Sequence, residues 1–527
     1  MCNAYEYTLN GQLTAAIANG MDYRYSYDKD GLLTAKKASG KTLLAYTYNE
    51  LGRKTSQTDI TGRKINYQFD QSNQLKSIAD EFDRSIVRFD RDADGAIEKI
   101  THANGMWQDI AYDADKNITS LTVATLEKIL AQNTYRYDGN GQRIEKSELA
   151  GKTLYTYDSL NRLQQAEYPT YTERVSYDNA GNRLTRTAKD IEEQYVYDAN
   201  NRSTSQIVNG QVETYRYDNA GNLLSDANNT YEYDAFRRTS KVTTKAGMTQ
   251  INRYDAEGLR HEMEENGKLV QFIFNENKEV ITEQEGENIT RLIRTSDLWA
   301  MEANPEKTWY HYASDEQGSS IFITGKNGEV KNRYTYDAFG NTIEAEEQIP
   351  NRYQYTGQQL DPLTQQYYLR ARFYNPAIAR FTQEDEYHGD GLNLYAYCAN
   401  NPVDYYDPSG YNDCPNKKAL YQVGEYNKIK GKPGLDAHHV GQKAMMKKLV
   451  KNYDFKTAPA INVPIRGHTR RLGDKGIVSR KMKGINSARQ LLARDIKELR
   501  RVYPDIPNQK LKELIELNKS KYPEMRK

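Results

Sequence analysis

The chain has 527 residues, 37% of them hydrophobic, with 43 Tyr and a formal net charge of +1, which is enough length for two or more domains. So much Tyr excludes a disordered polar chain, because the ring buries area while its hydroxyl stays hydrated. The three cysteines (Cys2, Cys398, Cys414) are far apart and form no CxxC pair, so neither a disulfide framework nor a Cys-type zinc site is indicated, and no apolar run approaches the ~18–20 residues that cross a bilayer as a helix.

Met1-Cys2-Asn3-Ala4-Tyr5 does not begin a signal peptide. The first 411 residues hold 45 Lys+Arg against 61 Asp+Glu, net −16, and the last 116 hold 28 against 11, net +17. The neutral total therefore hides two oppositely charged modules. A basic tail of this kind meets a polyanion, and its acidic neighbour could hold it until the two separate.

Residues 1–255 repeat. Tyr135-Arg-Tyr137-Asp138 leads to Gly141, Tyr155-Thr-Tyr157-Asp158 to Asn161-Arg162, Val175-Ser-Tyr177-Asp178 to Gly181-Asn182-Arg183, and Tyr195-Val-Tyr197-Asp198 to Asn201-Arg202. The second Tyr recurs at 137, 157, 177, 197 and 217. In Y-x-Y both rings leave one face of a strand, the Asp caps a turn, and Gly or Asn supplies positive φ. Each unit is about one hairpin, and stacked hairpins would form a long sheet with architectural Tyr ladders.

The pattern Y-x-Y-D-x-x-G-[NR]-[RL] resembles the YD repeat of Rhs proteins, of bacterial wall-associated proteins and of the C components of insecticidal toxin complexes. Residues 310–411 resemble the Rhs-associated core, in Tyr310-His311-Tyr312, Asp315-Glu-Gln-Gly318-Ser319, Tyr334-Thr-Tyr336-Asp337-Ala-Phe-Gly340, Tyr367-Tyr368-Leu-Arg370-Ala-Arg372-Phe373-Tyr374 and Asn393-Leu-Tyr395-Ala-Tyr397. The resemblance implies a mainly β protein. A YD-repeat β-shell (1–309) and core (310–411) would enclose a C-terminal toxin, although the repeats here are fewer than a complete shell requires.

The core ends in Asp407-Pro408-Ser409-Gly410-Tyr411, and Asp385 sits 22 residues before Asp407. Rhs cores often carry two Asp-Pro-x-Gly elements at that separation and cut themselves just after the second. The resemblance thus implies an aspartyl self-cleavage by Asp385 and Asp407 at the Gly410/Tyr411 junction. Here the first element has become Asp385-Glu386-Tyr387-His388. Two adjacent carboxyl groups do not both ionise readily, so one can serve as acid and the other as base. Arg370 or Arg372 could keep one of them charged. The alternative is an ordinary Asp-Pro turn and linker.

Residues 412–434 read as a linker. In the following segment (435–527) Asp436-Ala-His438-His439-Val440 reads as a strand, Gln442–Asn452 as helix, Ala458–Pro464 as extended, and Gly467-His468-Thr469 as the opening of a helix. Amphipathic helices are expected over Gly484–Val502 and Asn508–Asn518. A His doublet on a strand points its two rings to opposite faces, so one can bind metal while the other acts as base. His-His … Asn … His resembles the ββα-metal nucleases of the HNH/endonuclease VII superfamily, toxin branches with Ala-His-His included. By position, the resemblance makes His438 and His468 metal ligands and His439 the general base. Asn462 is either a ligand or the residue fixing the loop that holds His439.

The expected cofactor is a divalent ion (Mg²⁺, Zn²⁺ or Ni²⁺), and Lys443, Arg466, Arg470 and Arg471 are candidate phosphate contacts. The expectation is the C-terminal part of an Rhs-type polymorphic toxin, secreted or delivered at the cell surface. It would hydrolyse DNA or RNA in a neighbouring cell, with delivery machinery and a cognate immunity protein as partners. A YD-repeat adhesion protein with a non-catalytic basic tail is the alternative.

Overall fold

A computed structural model describes residues 4–9, 11–18, 21–303, 307–386, 393–411, 414–415, 421–430, 435–439, 443–464, 485–503, 506 and 508–526. Two compact units are present. The first holds residues 1–386, 393–403 and 409–411, and the second holds 387–392, 404–408 and 412–527.

The first unit is almost entirely antiparallel sheet. Among the described residues one sheet has 21 strands, running from Ala4–Tyr7 to Gln211–Thr214. A second has 14, from Arg216–Tyr217 to Thr342–Glu347. Strands adjacent in sequence pair, as expected of stacked hairpins: Tyr155 opposes Ala166, Val175 opposes Arg186 and Tyr195 opposes Gln206. The division between the two sheets falls at Tyr215. Tyr215 keeps a backbone bond to Thr204 O (3.0 Å) and donates its hydroxyl to Gln206 Oε1 (2.6 Å).

The repeat motif explains its own geometry. Asp158 Oδ1 accepts from the backbone N–H of Leu160 (2.9 Å) and of Arg162 (3.0 Å), while Oδ2 accepts from Arg162 Nε (2.7 Å). Asn161 between them takes φ 64°, which the Asx turn needs and which Asn tolerates. In the Asp178 turn the Arg is replaced by Asn182, whose Nδ2 donates to Asp178 Oδ2 (2.9 Å), and Gly181 supplies the positive φ.

The two tyrosines of each unit then differ in role. The first (Tyr135, Tyr155, Tyr195) is buried. The second is partly buried and donates to a carbonyl of the preceding hairpin: Tyr137 to Ile118 O, Tyr157 to Arg143 O, Tyr177 to Leu163 O and Tyr197 to Arg183 O, at 2.6–2.9 Å. The Tyr are architectural, and the repetition is a repeated hydrogen bond.

Polar contacts join the two large sheets. Tyr135 Oη donates to Glu316 Oε2 (2.7 Å), Tyr23 Oη to Asp255 Oδ2 (3.1 Å), and Arg291 pairs with Asp59. Arg260, fully buried, makes a two-pronged ion pair with Asp361 (2.6 and 2.8 Å) and bonds Gln359 Oε1 (3.0 Å). That pair ties the second sheet to a four-stranded sheet that opens with Gln359–Asp361 and Gln366–Tyr368.

The second unit contains a three-stranded sheet in which Pro459–Pro464 lies between Val423–Glu425 and Leu435–His439. It also holds helices α1 (Tyr426–Ile429), α2 (Lys443–Leu449), α3 (Ala488–Val502) and α4 (Asn508–Lys521). Ile461 and Val463 of the central strand pack with Met446, Leu491, Leu499 and Leu514 into one core. Ser487 caps α3 through its side chain on Gln490 N (3.2 Å). The strands and helices expected over 436–440, 442–452, 458–464, 484–502 and 508–518 agree within a few residues, and the helix expected to open at Gly467-His468-Thr469 lies outside the described residues. Residues 421–430, read as linker, instead supply an edge strand and α1: their Gly and Lys content masked a strand that needs its neighbour to exist.

Candidate functional site

Asp385 is buried, and its Oδ2 meets Arg372 Nη2 at 2.6 Å. The same guanidinium donates from Nε to Gly410 O (2.5 Å) and from Nη1 to Leu394 O (2.9 Å), and it stacks 3.6 Å from the Phe381 ring centroid. Arg372 therefore joins one candidate carboxylate to the carbonyl of the candidate junction. Arg370, the other arginine considered, is engaged elsewhere, with Glu279 (2.6 Å) and Lys278 O (2.8 Å).

Gly410 takes φ 75°, and a Cβ there would lie 2.6 Å from Leu369 O and 2.9 Å from Arg372 N. Only glycine fits that approach. The strand-like contact Ala371 N to Ser409 O (3.1 Å) fixes the segment, while Tyr411 is exposed. In the second unit Asp407 is buried, directly after the pair Tyr405–Tyr406 that bonds Cys414–Pro415.

In the tail, His438 opposes Ile461 and His439 opposes Ala460. Directly opposed residues share a face, so the doublet is split as the alternation predicts. His438 is buried on the face of Asp436, Ile461 and Val463. His439 is half-buried on the other face, where its ring stacks on Tyr426 (centroids 4.2 Å, planes 21° apart) and meets Phe455 edge-on (6.3 Å). His439 Nε2 lies 3.0 Å from Phe455 O. A carbonyl only accepts, so Nε2 carries the proton and Nδ1 is the basic nitrogen of the neutral ring.

Asn462, opposite Ala437, is on the His439 face and is buried. Its Nδ2 donates to Ile429 O (3.0 Å), the end of α1, whose first residue is Tyr426. Asn462 thus acts on the segment that supports His439. Tyr426 and Phe455 were not anticipated: Tyr426 falls in the stretch read as linker, and Phe455 between the expected helix and the expected extended segment.

His468, Arg466, Arg470 and Arg471 lie outside the described residues, and Lys443 opens α2 with its side chain undescribed. Among the described residues no three His, Cys, Asp or Glu side chains converge on one point. His438 and Asp436 supply donors on one face, and the described residues alone do not complete a metal site. No helix among them is long and apolar enough to cross a membrane.

Comparisons with known proteins bear on the β-rich part of the chain. Residues 142–403 fit the family model "Teneurin YD-shell" and residues 27–64 fit "RHS Repeat". A tRNA3(Ser)-specific nuclease WapA of Bacillus spizizenii is 34% identical over 202 residues, covering 36% of this chain and 9% of that protein. The tRNA nuclease WapA of Bacillus subtilis gives the same identity and coverage. Toxin protein Tse5 of Pseudomonas aeruginosa is 25% identical over 34% of this chain and 15% of its own length. The matches thus span a small part of these relatives.

The TcdB2-TccC3-TEV crystal structure superposes with a TM-score of 0.65 at 16% identity, covering 77% of this chain and 25% of that one. The Photorhabdus luminescens Tc holotoxin pore gives 0.61 over 77% of this chain and 24% of that one, also at 16% identity. At that identity the likeness concerns the fold. The β-rich part of this chain is thus similar to YD-repeat and Rhs-repeat segments, those of the WapA and Tse5 toxins among them.

Proposed function

We propose that the chain is the C-terminal part of an Rhs-type polymorphic toxin whose basic tail is an HNH-type, metal-dependent endonuclease. The observation that carries this reading is His439: a ring stacked on Tyr426, anchored through Nε2 to Phe455 O, and split by strand alternation from His438. A base needs a fixed ring with one basic nitrogen directed at its proton, and this arrangement supplies it. WapA relatives are named tRNA nucleases, which supports a nuclease, but the match lies over the shell region.

In the proposed reaction His439 Nδ1 removes a proton from water as the water attacks a phosphodiester. One P–O ester bond breaks as the new one forms, and the leaving oxygen takes a proton from solvent. The imidazolium formed stays stacked on Tyr426 and hydrogen-bonded to Phe455 O. A divalent ion held by His438 and His468 would neutralise charge at the phosphate. Lys443, Arg466, Arg470 and Arg471, with the tail's net +17, would grip the backbone without reading sequence. Asn462 would position rather than ligate, since it sits on the face opposite His438.

At the junction, Arg372 favours the carboxylate of Asp385 and holds the Gly410 carbonyl. Asp385 and Asp407 would then share the acid and base work of self-cleavage. The proposed partners are nucleic acid, an immunity protein and the delivery machinery of a secreted or surface-delivered parent.

The test is incubation of the full chain with plasmid and with tRNA, with Mg²⁺ or with chelator. Chelator-sensitive cutting is expected. Binding without cutting in every condition would overturn the reading in favour of an adhesion or binding protein.

A further inference from the structure

We propose that the contact between His102 and His311 is an acid-sensitive latch between the two large sheets, closed while both imidazoles are neutral and forced open when they take up protons. His102 ends the strand Ile97–His102 of the first sheet, and His311 lies in Thr308–Ser314 of the second. They are 3% and 2% exposed, with rings edge-to-face and centroids 5.4 Å apart. Among the described residues, both ring nitrogens of His102 and Nδ1 of His311 are buried without a hydrogen-bond partner.

The surroundings keep the pair apolar. Met106, Val123, Ala313 and Phe322 form the adjacent core, and the residues opposite the pair in register are Val87, Ala300 and Thr324. The seam is fastened beside it by Asn104 Nδ2, which donates to Thr324 Oγ1 (2.8 Å) and Gly325 O (2.7 Å). Among the described residues no carboxylate is paired with either ring. Among the described residues, burial and then the neighbouring His311 disfavour a charge on His102, and burial disfavours one on His311. Three buried arginines at sheet contacts have carboxylate partners, Arg143 with Glu316, Arg291 with Asp59 and Arg260 with Asp361. This pair has none to receive its charge.

Burial pushes His102 well below the ordinary imidazole range and His311 down to about 4. An imidazole in an open seam titrates near ~6.5. The closed contact therefore keeps its full stability above that pH and loses it as pH falls toward the closed-state values. If opening takes up two protons, its equilibrium constant rises by up to ~100-fold per pH unit in that window. Asp255, Asp315 and Asp337, pushed up by burial, stabilise the fold on acidification and oppose the latch. Its sign is thus read against theirs by substitution.

The three Trp of the chain report on the site: Trp107 follows Met106, Trp299 precedes Ala300, and Trp309 shares the His311 strand. Tryptophan emission of the full chain is followed from pH 8 downward, with backbone hydrogen exchange over 97–112 and 298–324. A transition between the open and closed imidazole values is expected, with exchange rising first in those segments. The double variant His102→Phe/His311→Phe should move the midpoint at least ~1 pH unit lower, a tenfold or greater change in proton coupling. An unmoved midpoint overturns the latch. Should the variant misfold at pH 8, C2-hydrogen exchange of the two imidazoles in the wild type decides. Titration only within the transition supports the latch, and ordinary titration near ~6.5 with unchanged emission overturns it.

Discussion

At the scale of single residues, the candidate base and its supports make separable predictions. His439→Ala should reduce nuclease turnover by about 10²–10⁴ while leaving nucleic-acid binding nearly unchanged, because a base acts in the transition state. Single-turnover kinetics with a binding assay on the same protein checks both halves. His438→Ala should instead raise the metal concentration needed for activity, seen in a metal titration. The buried pair Arg260–Asp361 predicts stability: Asp361→Ala leaves a fully buried guanidinium without its carboxylate and should cost about 3–5 kcal/mol in denaturant unfolding. Arg372 makes a similar double contact, so Arg372→Lys, which keeps the charge but loses the fork, should slow cutting at the junction.

At the scale of the element, the hairpin is the unit of stability. Tyr197→Phe removes one hydroxyl-to-carbonyl bond and should cost about 0.5–1.5 kcal/mol. Tyr195→Ala empties a buried ring site and should cost about 3–5 kcal/mol. Because each hairpin touches mainly its neighbours, the faster hydrogen exchange should be confined to strands near 183–217 and leave 21–59 unaltered. Both hydroxyl and ring belong to the same Y-x-Y, so the pair of variants separates the bond from the burial.

For the whole molecule, charge and pH set the behaviour. Self-cleavage predicts that intact mass measurement finds two pieces meeting at the Gly410/Tyr411 junction, and that Asp407→Asn yields one. A single uncut wild-type mass would make the junction a linker. In the shell, Asp337 is pushed up to about 7 by burial and by the nearby Glu173 carboxylate. Its folded value exceeds the ordinary ~3.9, so its contribution to stability is largest at low pH and is lost as pH rises through about 7. Asp337→Asn should flatten that part of the profile and stabilise the chain at pH 8, measured as melting temperature against pH.

Much of this was legible in the residues themselves. Y-x-Y followed by Asp and then Gly or Asn encodes a strand, an Asx turn and a positive φ within a few positions, so hairpins, their antiparallel order and the opposite faces of His438 and His439 follow from local geometry. Charge partition at residue 411 is equally a property of the string. Contacts between distant segments had no such signature. That Arg372 rather than Arg370 reaches both Asp385 and Gly410, that Tyr426 from an apparent linker stacks on His439, and that His102 meets His311 depend on which hairpin the chain brings beside which. Strand pairing and burial are decided by the assembled sheets, because a side chain's partner hundreds of residues away is fixed only when the intervening repeats have set its position.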